Sequence, residues 1–174
     1  MNTATRHHAP AVQDHGDLGI RIDRDGVWHY RGLPINRQEM VCLFASLLHR
    51  LDDDTYWLIT PAEAGRITVD DVPFIAVELF TSGAGGALVV SMRTNVDEIV
   101  TVDTDHPLRM VMDLDTGTST PYLLVRDGLE ARVARSVYYE LVALGVEEKV
   151  GHLVLFGIWS SGTFFPMGSL EAED

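Results

Sequence analysis

The stretch GIRIDRDGVWHYRG sets two short runs rich in β-branched and aromatic residues on either side of Asp25-Gly26, a pattern that predicts a β-hairpin. Next, INRQEMVCLFASLLHRL carries Met40, Phe44, Leu47, Leu48 and Leu51 at helical spacing, with Asn36 placed as N-cap and Glu39 three residues on as its capping-box partner. TYWLITPAEAGRITV then reads as strand, turn and strand, bounded by Pro61 and Gly65. The same succession returns further along. PYLLVRDGLEARV predicts a hairpin over Asp127-Gly128, and RSVYYELVALG predicts a helix with Val137, Tyr138, Leu141 and Val142 on one face and Gly145 to cap it. HLVLFGIWSSGTFFPMG closes the second copy with strand, turn and strand.

The two helices align residue by residue. Ile35, Arg37, Leu43 and Ala45 fall on Val133, Arg135, Leu141 and Ala143 at an offset of 98, while the two Arg-Asp-Gly tripeptides are offset by 102. Four extra residues near GLPI account for the difference. A tripeptide alone recurs by chance, but the ordered signals around it predict an internal duplication. Between the copies lie VPFIAVELF, ALVVSMRTN, DEIVTVD and LRMVMDL, four further strand-like runs. The expected class is therefore α+β with mostly antiparallel sheet and two related hairpin-helix-hairpin units. The expected divisions are a disordered tail over 1–17, an N-terminal β/α domain over 18–81, a C-terminal domain over 82–168 and an acidic tail over 169–174.

Composition narrows the function classes. The net charge of −13, from 26 acids against 13 bases, disfavours nucleic acid and anionic membrane surfaces as partners. The acids are densest between Glu63 and Asp115, where ten face three arginines, so an anion site is expected only where the few bases converge. The single cysteine, Cys42, permits no intrachain disulfide, and neither a secretory signal nor a long apolar run stands out, so a cytoplasmic location is expected. Oligomeric state is left open.

Several segments carry candidate chemistry. Arg37 and Arg135 both fall in the first turn of a helix, where a cation opposes the macrodipole. They either complete an anion site with the free amides of the helix start, or swing to solvent and pair with an acid such as Glu39. In RTNVDEIVTVDTDHPLR, adjacent strand pairing could bring Arg93, Thr94 and Asn95 towards His106 and Arg109 as a polar cradle for a small anion, the plain alternative being a decorated hairpin turn. Trp159, beside Ser160, Ser161 and Phe164, is the aromatic best placed to stack on a ligand base, with core packing as its other fate.

Other signals fail on geometry. Asp115-Thr116-Gly117-Thr118 has no second copy to complete an aspartic-peptidase pair. SGAGG leads into a strand rather than a helix, and GIWSSG has the wrong spacing for a nucleophile elbow. Cys42, Ser46 and His49 share a helix face without a cation to activate the thiol. No metal or cofactor signature emerges, and no catalytic residue is assigned.

Three longer segments, WHYRGLPINRQEMVCLFASLLHR, RTNVDEIVTVDTDHPLR and VRDGLEARVARSVYYELV through GIWSSGTFFPMG, resemble a bacterial family catalogued as domain of unknown function 1285, over about Asp17 to Gly168. The resemblance implies a duplicated core, a C-terminal domain similar to pleckstrin-homology folds, a nucleotide-like ligand at the domain interface and a signalling role. With the scarce bases, this favours a non-catalytic module for a small anionic ligand held by Arg93, Asn95, His106 and Arg135, with Trp159 stacking. The alternatives are a hydrolase using His106 or a carboxylate of the acidic middle segment, and a protein-interaction module.

Overall fold

A computed structural model describes residues 12–170, and the chain divides into two compact units, 1–73 with 127–129 and 74–126 with 130–174. The division falls between Pro73 and Phe74, earlier than the expected break at 81/82. The apolar run at 74–82 shows by its pattern that it is a strand. It does not show which sheet that strand will join.

In the first unit β1 (Gln13–Ile22), β2 (Trp28–Tyr30) and β3 (Leu33–Pro34) form one antiparallel meander, and β4 (Leu48–Arg50), β5 (Tyr56–Ile59) and β6 (Glu63–Val69) form another. Helix α1 (Gln38–Ser46) connects them, and a parallel pairing of β1 with β6 joins them into one six-stranded sheet. β1 starts inside the segment expected as a tail, of which 1–11 lie outside the described residues. Two aspartates let it do so through a polar stretch. Asp14 and Asp17 each accept a hydrogen bond from a glycine amide two residues on, at Gly16 and Gly19, both left-handed at φ 66° and 69°, and the β1–β6 register shifts there.

The second unit repeats that sheet plan. β7 (Phe74–Ser82), β8 (Val89–Thr94) and β9 (Ile99–Thr101) form a meander, β10 (Leu108–Met112), β11 (Ser119–Arg126) and β12 (Leu129–Val133) form the next, and β7 pairs in parallel with β12. The strand orders β3-β2-β1-β6-β5-β4 and β9-β8-β7-β12-β11-β10 are the same path. Helix α2 (Arg135–Leu144) then leads to a separate meander of β13 (Val146–Val150), β14 (Leu153–Ser160) and β15 (Thr163–Leu170). β15 thus takes up two residues of the expected 169–174 tail, and 171–174 lie outside the described residues. The protein is α+β and mostly antiparallel, with curled sheet consistent with a pleckstrin-like second domain.

The recurrent element is the three-stranded meander, present five times among the described residues. Hairpin-helix-hairpin order recurs as expected, and the sheet plan recurs on a different alignment of the chain. The two Arg-Asp-Gly tripeptides also form different turns. Gly26 alone is left-handed (φ 79°), closing a three-residue loop in which the Asp23 amide donates to the Val27 carbonyl. Asp127 and Gly128 are both left-handed (φ 44° and 77°), as a two-residue type I′ turn demands.

The first helix departs from its sequence reading. Its N-cap is Arg37, with no side-chain cap bond, so the Asn36–Glu39 capping box does not form. The helix ends at Ser46 and buries Val41 and Ala45 rather than the Met40-Phe44-Leu47 stripe; Met40 is 37% exposed, and Leu48 is buried as part of β4. Apolar positions of helix and following strand had summed into one apparent period. In α2 the expected Val137 and Leu141 are both buried, while Val142 is exposed. Gly145 is the C-cap, but at φ −67° it is not left-handed. Its missing Cβ matters for another reason: a methyl there would lie 2.0 Å from Cζ of Phe156.

Candidate functional site

Strand alternation decides where the expected cradle residues point. On β8, Val90, Met92 and Thr94 face inward, and Arg93 faces out among carboxylates. Its Nε donates to Glu78 at 2.8 Å and its Nη1 to Asp97 at 3.1 Å. Thr94 is fully buried, and its hydroxyl oxygen accepts from the Val96 and Glu98 amides, closing the β8–β9 turn. Asn95 ties that turn to β7, its side-chain oxygen accepting from the Ile75 amide at 3.0 Å while its own amide donates to the Ile75 carbonyl at 2.8 Å. These three residues build a turn.

His106 sits in the loop after β9, half-buried, with Nδ1 3.0 Å from Asp103 Oδ1. The same oxygen accepts from the Asp105 and His106 amides. Burial works to raise the Asp103 pKa, but the amide and imidazole bonds outweigh it and hold the carboxyl below the ordinary aspartate range. A broad depression of about 510 Å³ lies beside His106, and its walls include Glu98 and Asp103, with Arg93 not among them. Among the described residues no hydrogen bond joins His106 to a hydroxyl or thiol; its ring partner is the Asp103 carboxylate.

Arg109 lies over the Tyr122 ring and chelates Glu130 on β12, with Nη2 2.9 Å and Nε 3.2 Å from Oε2. Arg135, the first residue of α2, donates from Nε to the Tyr139 hydroxyl at 2.9 Å, one turn along the same exposed face. Arg37 is exposed at the start of α1. The structure therefore gathers Arg93, Thr94 and Asn95 around one turn, sets Arg109 and Arg135 each against its own partner, and places His106 and Trp159 in separate depressions.

Trp159 is where a hollow forms. It projects from the solvent-side face of the β13-β14-β15 sheet, since its neighbours Ile158 and Ser160 are the fully buried, core-facing residues of β14. Two contacts fix the indole. Nε1 donates to Glu148 Oε1 at 2.8 Å, and the ring packs on Phe164 with centroids 5.6 Å apart. Around it Val146 and Glu148 of β13, Leu144 at the end of α2, Leu88, and the glycines Gly85 and Gly86 of the loop before β8 enclose about 310 Å³. That is the lower end of the size range of small-molecule sites. The sequence reading singled out Trp159 but missed Glu148, whose signal was its alternation with Val146 in VEEKV. It also missed the role of SGAGG as a wall. Among the described residues no cluster of His, Cys, Asp and Glu could hold a metal ion, and no helix is long and apolar enough to cross a membrane.

Two compact strand-rich units, the second with a hollow of about 310 Å³ against a tethered tryptophan, define an α+β protein. The chain belongs to the DUF1285 family. Residues 7–72 match "Domain of unknown function (DUF1285), N-terminal domain" and residues 73–167 match "Protein of unknown function (DUF1285), C-terminal domain". The two matches meet within a residue of the division between the compact units. Among solved structures, a DUF1285 family protein from Silicibacter pomeroyi DSS-3 is 43% identical with a TM-score of 0.83, over 91% of this chain and 84% of its own. One from Shewanella baltica OS155 is 29% identical with a TM-score of 0.58, over 72% of this chain and 91% of its own. No curated protein matches.

Proposed function

We propose that this chain is a non-catalytic small-molecule-binding module whose ligand lies against Trp159 in the hollow of the second unit. The observation that carries the reading is the indole held in place by Glu148 and Phe164 at the wall of a 310 Å³ depression. A fixed aromatic plane presents apolar area without losing rotamer freedom on binding, which favours affinity. Ligand binding and the stacking role of Trp159 follow the sequence reading. The anionic, nucleotide-like class does not carry over to this hollow, because none of its lining side chains is basic; Arg93 and Arg109 face Glu78, Asp97 and Glu130, and Arg135 bonds the Tyr139 hydroxyl. A signalling role, the finer reading implied by family resemblance, would act through such binding.

The test is a thermal-shift screen of a small-molecule library including nucleotides, each at millimolar concentration, on the full chain and on Trp159→Ala. The expected result is stabilisation by some compounds that the variant loses. Absence of any stabilising compound, or hits indifferent to the substitution, overturns the reading.

A further inference from the structure

We infer that the Trp159 hollow is built for a small organic cation, an ammonium group on a short apolar body; this rests on the reading that the hollow is a binding site. Three sources of negative potential converge there. Glu148 lines the hollow, and one of its carboxylate oxygens accepts the indole N–H, which keeps a negative charge at the ring. The Trp159 ring offers the electron-rich face that attracts ammonium and quaternary ammonium groups within about 6 Å of its centroid. Leu144, the last residue of α2, brings the carbonyl end of that helix to the rim, and the last turn of α2 carries no basic residue to offset its negative partial charge.

The rest of the lining is Leu88, Leu144, Val146 and two glycines, which suit methyl and methylene groups and supply no positive charge. The glycine backbone keeps that wall low: Gly85 and Gly86 have open space where a side chain would stand. The chain's charge of −13 adds long-range attraction for a cation and repulsion for an anion.

Choline chloride is the probe, with 3,3-dimethylbutan-1-ol as its uncharged isostere, followed by NMR on the full chain through the Trp159 indole N–H at constant ionic strength. The indole signal is assigned by its loss in Trp159→Phe. The expected result is a saturable shift with choline in the millimolar range or tighter and at least about fivefold weaker binding of the isostere, the ratio a cation–π contact of about 1 kcal/mol gives. Glu148→Gln should weaken choline binding by a similar factor or more. Glu147→Gln, one residue away on the opposite face of β13, should leave it unchanged, which separates a local contact from general charge. Equal binding of both probes overturns the cation assignment while leaving the hollow a binding site. Binding of neither probe overturns the cation assignment as well, and the thermal-shift screen then decides separately whether the hollow binds anything.

Discussion

Ser160→Ala removes a hydroxyl that holds two sheets of the second unit together. Ser160 is fully buried; its Oγ accepts from the Val90 amide of β8 at 2.9 Å and donates to the Val102 carbonyl at 2.6 Å. The variant does not cost both bonds equally. Ser161 Oγ also donates to Val102 O, at 3.1 Å, so that carbonyl keeps a partner and the Val90 N–H becomes the orphan. A buried donor left unsatisfied costs about 1–3 kcal/mol, so a loss of about 2 kcal/mol is expected, mostly from that one amide. Urea unfolding gives the total. Native-state hydrogen exchange at the Val90 amide isolates the second unit, and about 2 kcal/mol corresponds to exchange roughly thirtyfold faster if it proceeds through opening of that region. Ser161→Ala, at an exposed turn position, should cost less than about 0.5 kcal/mol. A loss below about 0.5 kcal/mol for Ser160→Ala with unchanged exchange at Val90 would refute the assignment of Ser160 as the bridge.

Three further outcomes follow from the same geometry. Gly157→Ala places a methyl 2.2 Å from the Phe165 carbonyl oxygen and 2.8 Å from Pro166 Cα, backbone atoms of the paired strand, so urea unfolding should show destabilisation of about 1–3 kcal/mol. Arg109→Ala should change stability by less than about 1 kcal/mol despite its three bonds to Glu130, because the side chain is 54% exposed; a larger loss in urea would show that the pair is desolvated more than its exposure implies. Asp70 is held below the ordinary aspartate range first by the hydrogen bond from Arg21, Asp113 by the Thr116 amide, and Asp103 by bonds that outweigh its burial. A carboxyl with a depressed folded-state pKa contributes stability that is complete above its unfolded value and is lost as pH falls through the folded one. Stability should therefore stay level from neutral pH down to about 4.5 and decline below about 4, and a decline already between pH 6 and 5 would contradict it.

Much of the fold was legible because local signals were strong. Asp-Gly pairs between β-rich runs marked both hairpins, and alternation marked the strands between the copies. What misled was additivity. Leu47, Leu48 and Leu51 extended the period of α1 in sequence, yet Leu48 belongs to β4, and the short helix packs through Val41 and Ala45 instead. The Asp14 and Asp17 turns, which carry β1 through a polar segment, have no hydrophobic signature, so β1 looked shorter than it is. Strand pairing across long separations, β1 with β6 and β7 with β12, leaves no local trace at all, and with it went the unit boundary.

The candidate site shows the same division between local chemistry and distant pairing. In a chain with twice as many acids as bases, a base that meets an acid on a neighbouring strand is neutralised before any ligand arrives, as Arg93 is by Glu78 of β7 and Arg109 by Glu130 of β12. Scarcity of positive charge thus marks structural pairing more readily than anion recognition. The hollow opens where no base is present, around an indole whose position depends on a carboxylate eleven residues earlier in the chain. On the proposed reading, Glu148 and the indole, rather than any arginine, set the charge that a ligand at Trp159 would meet.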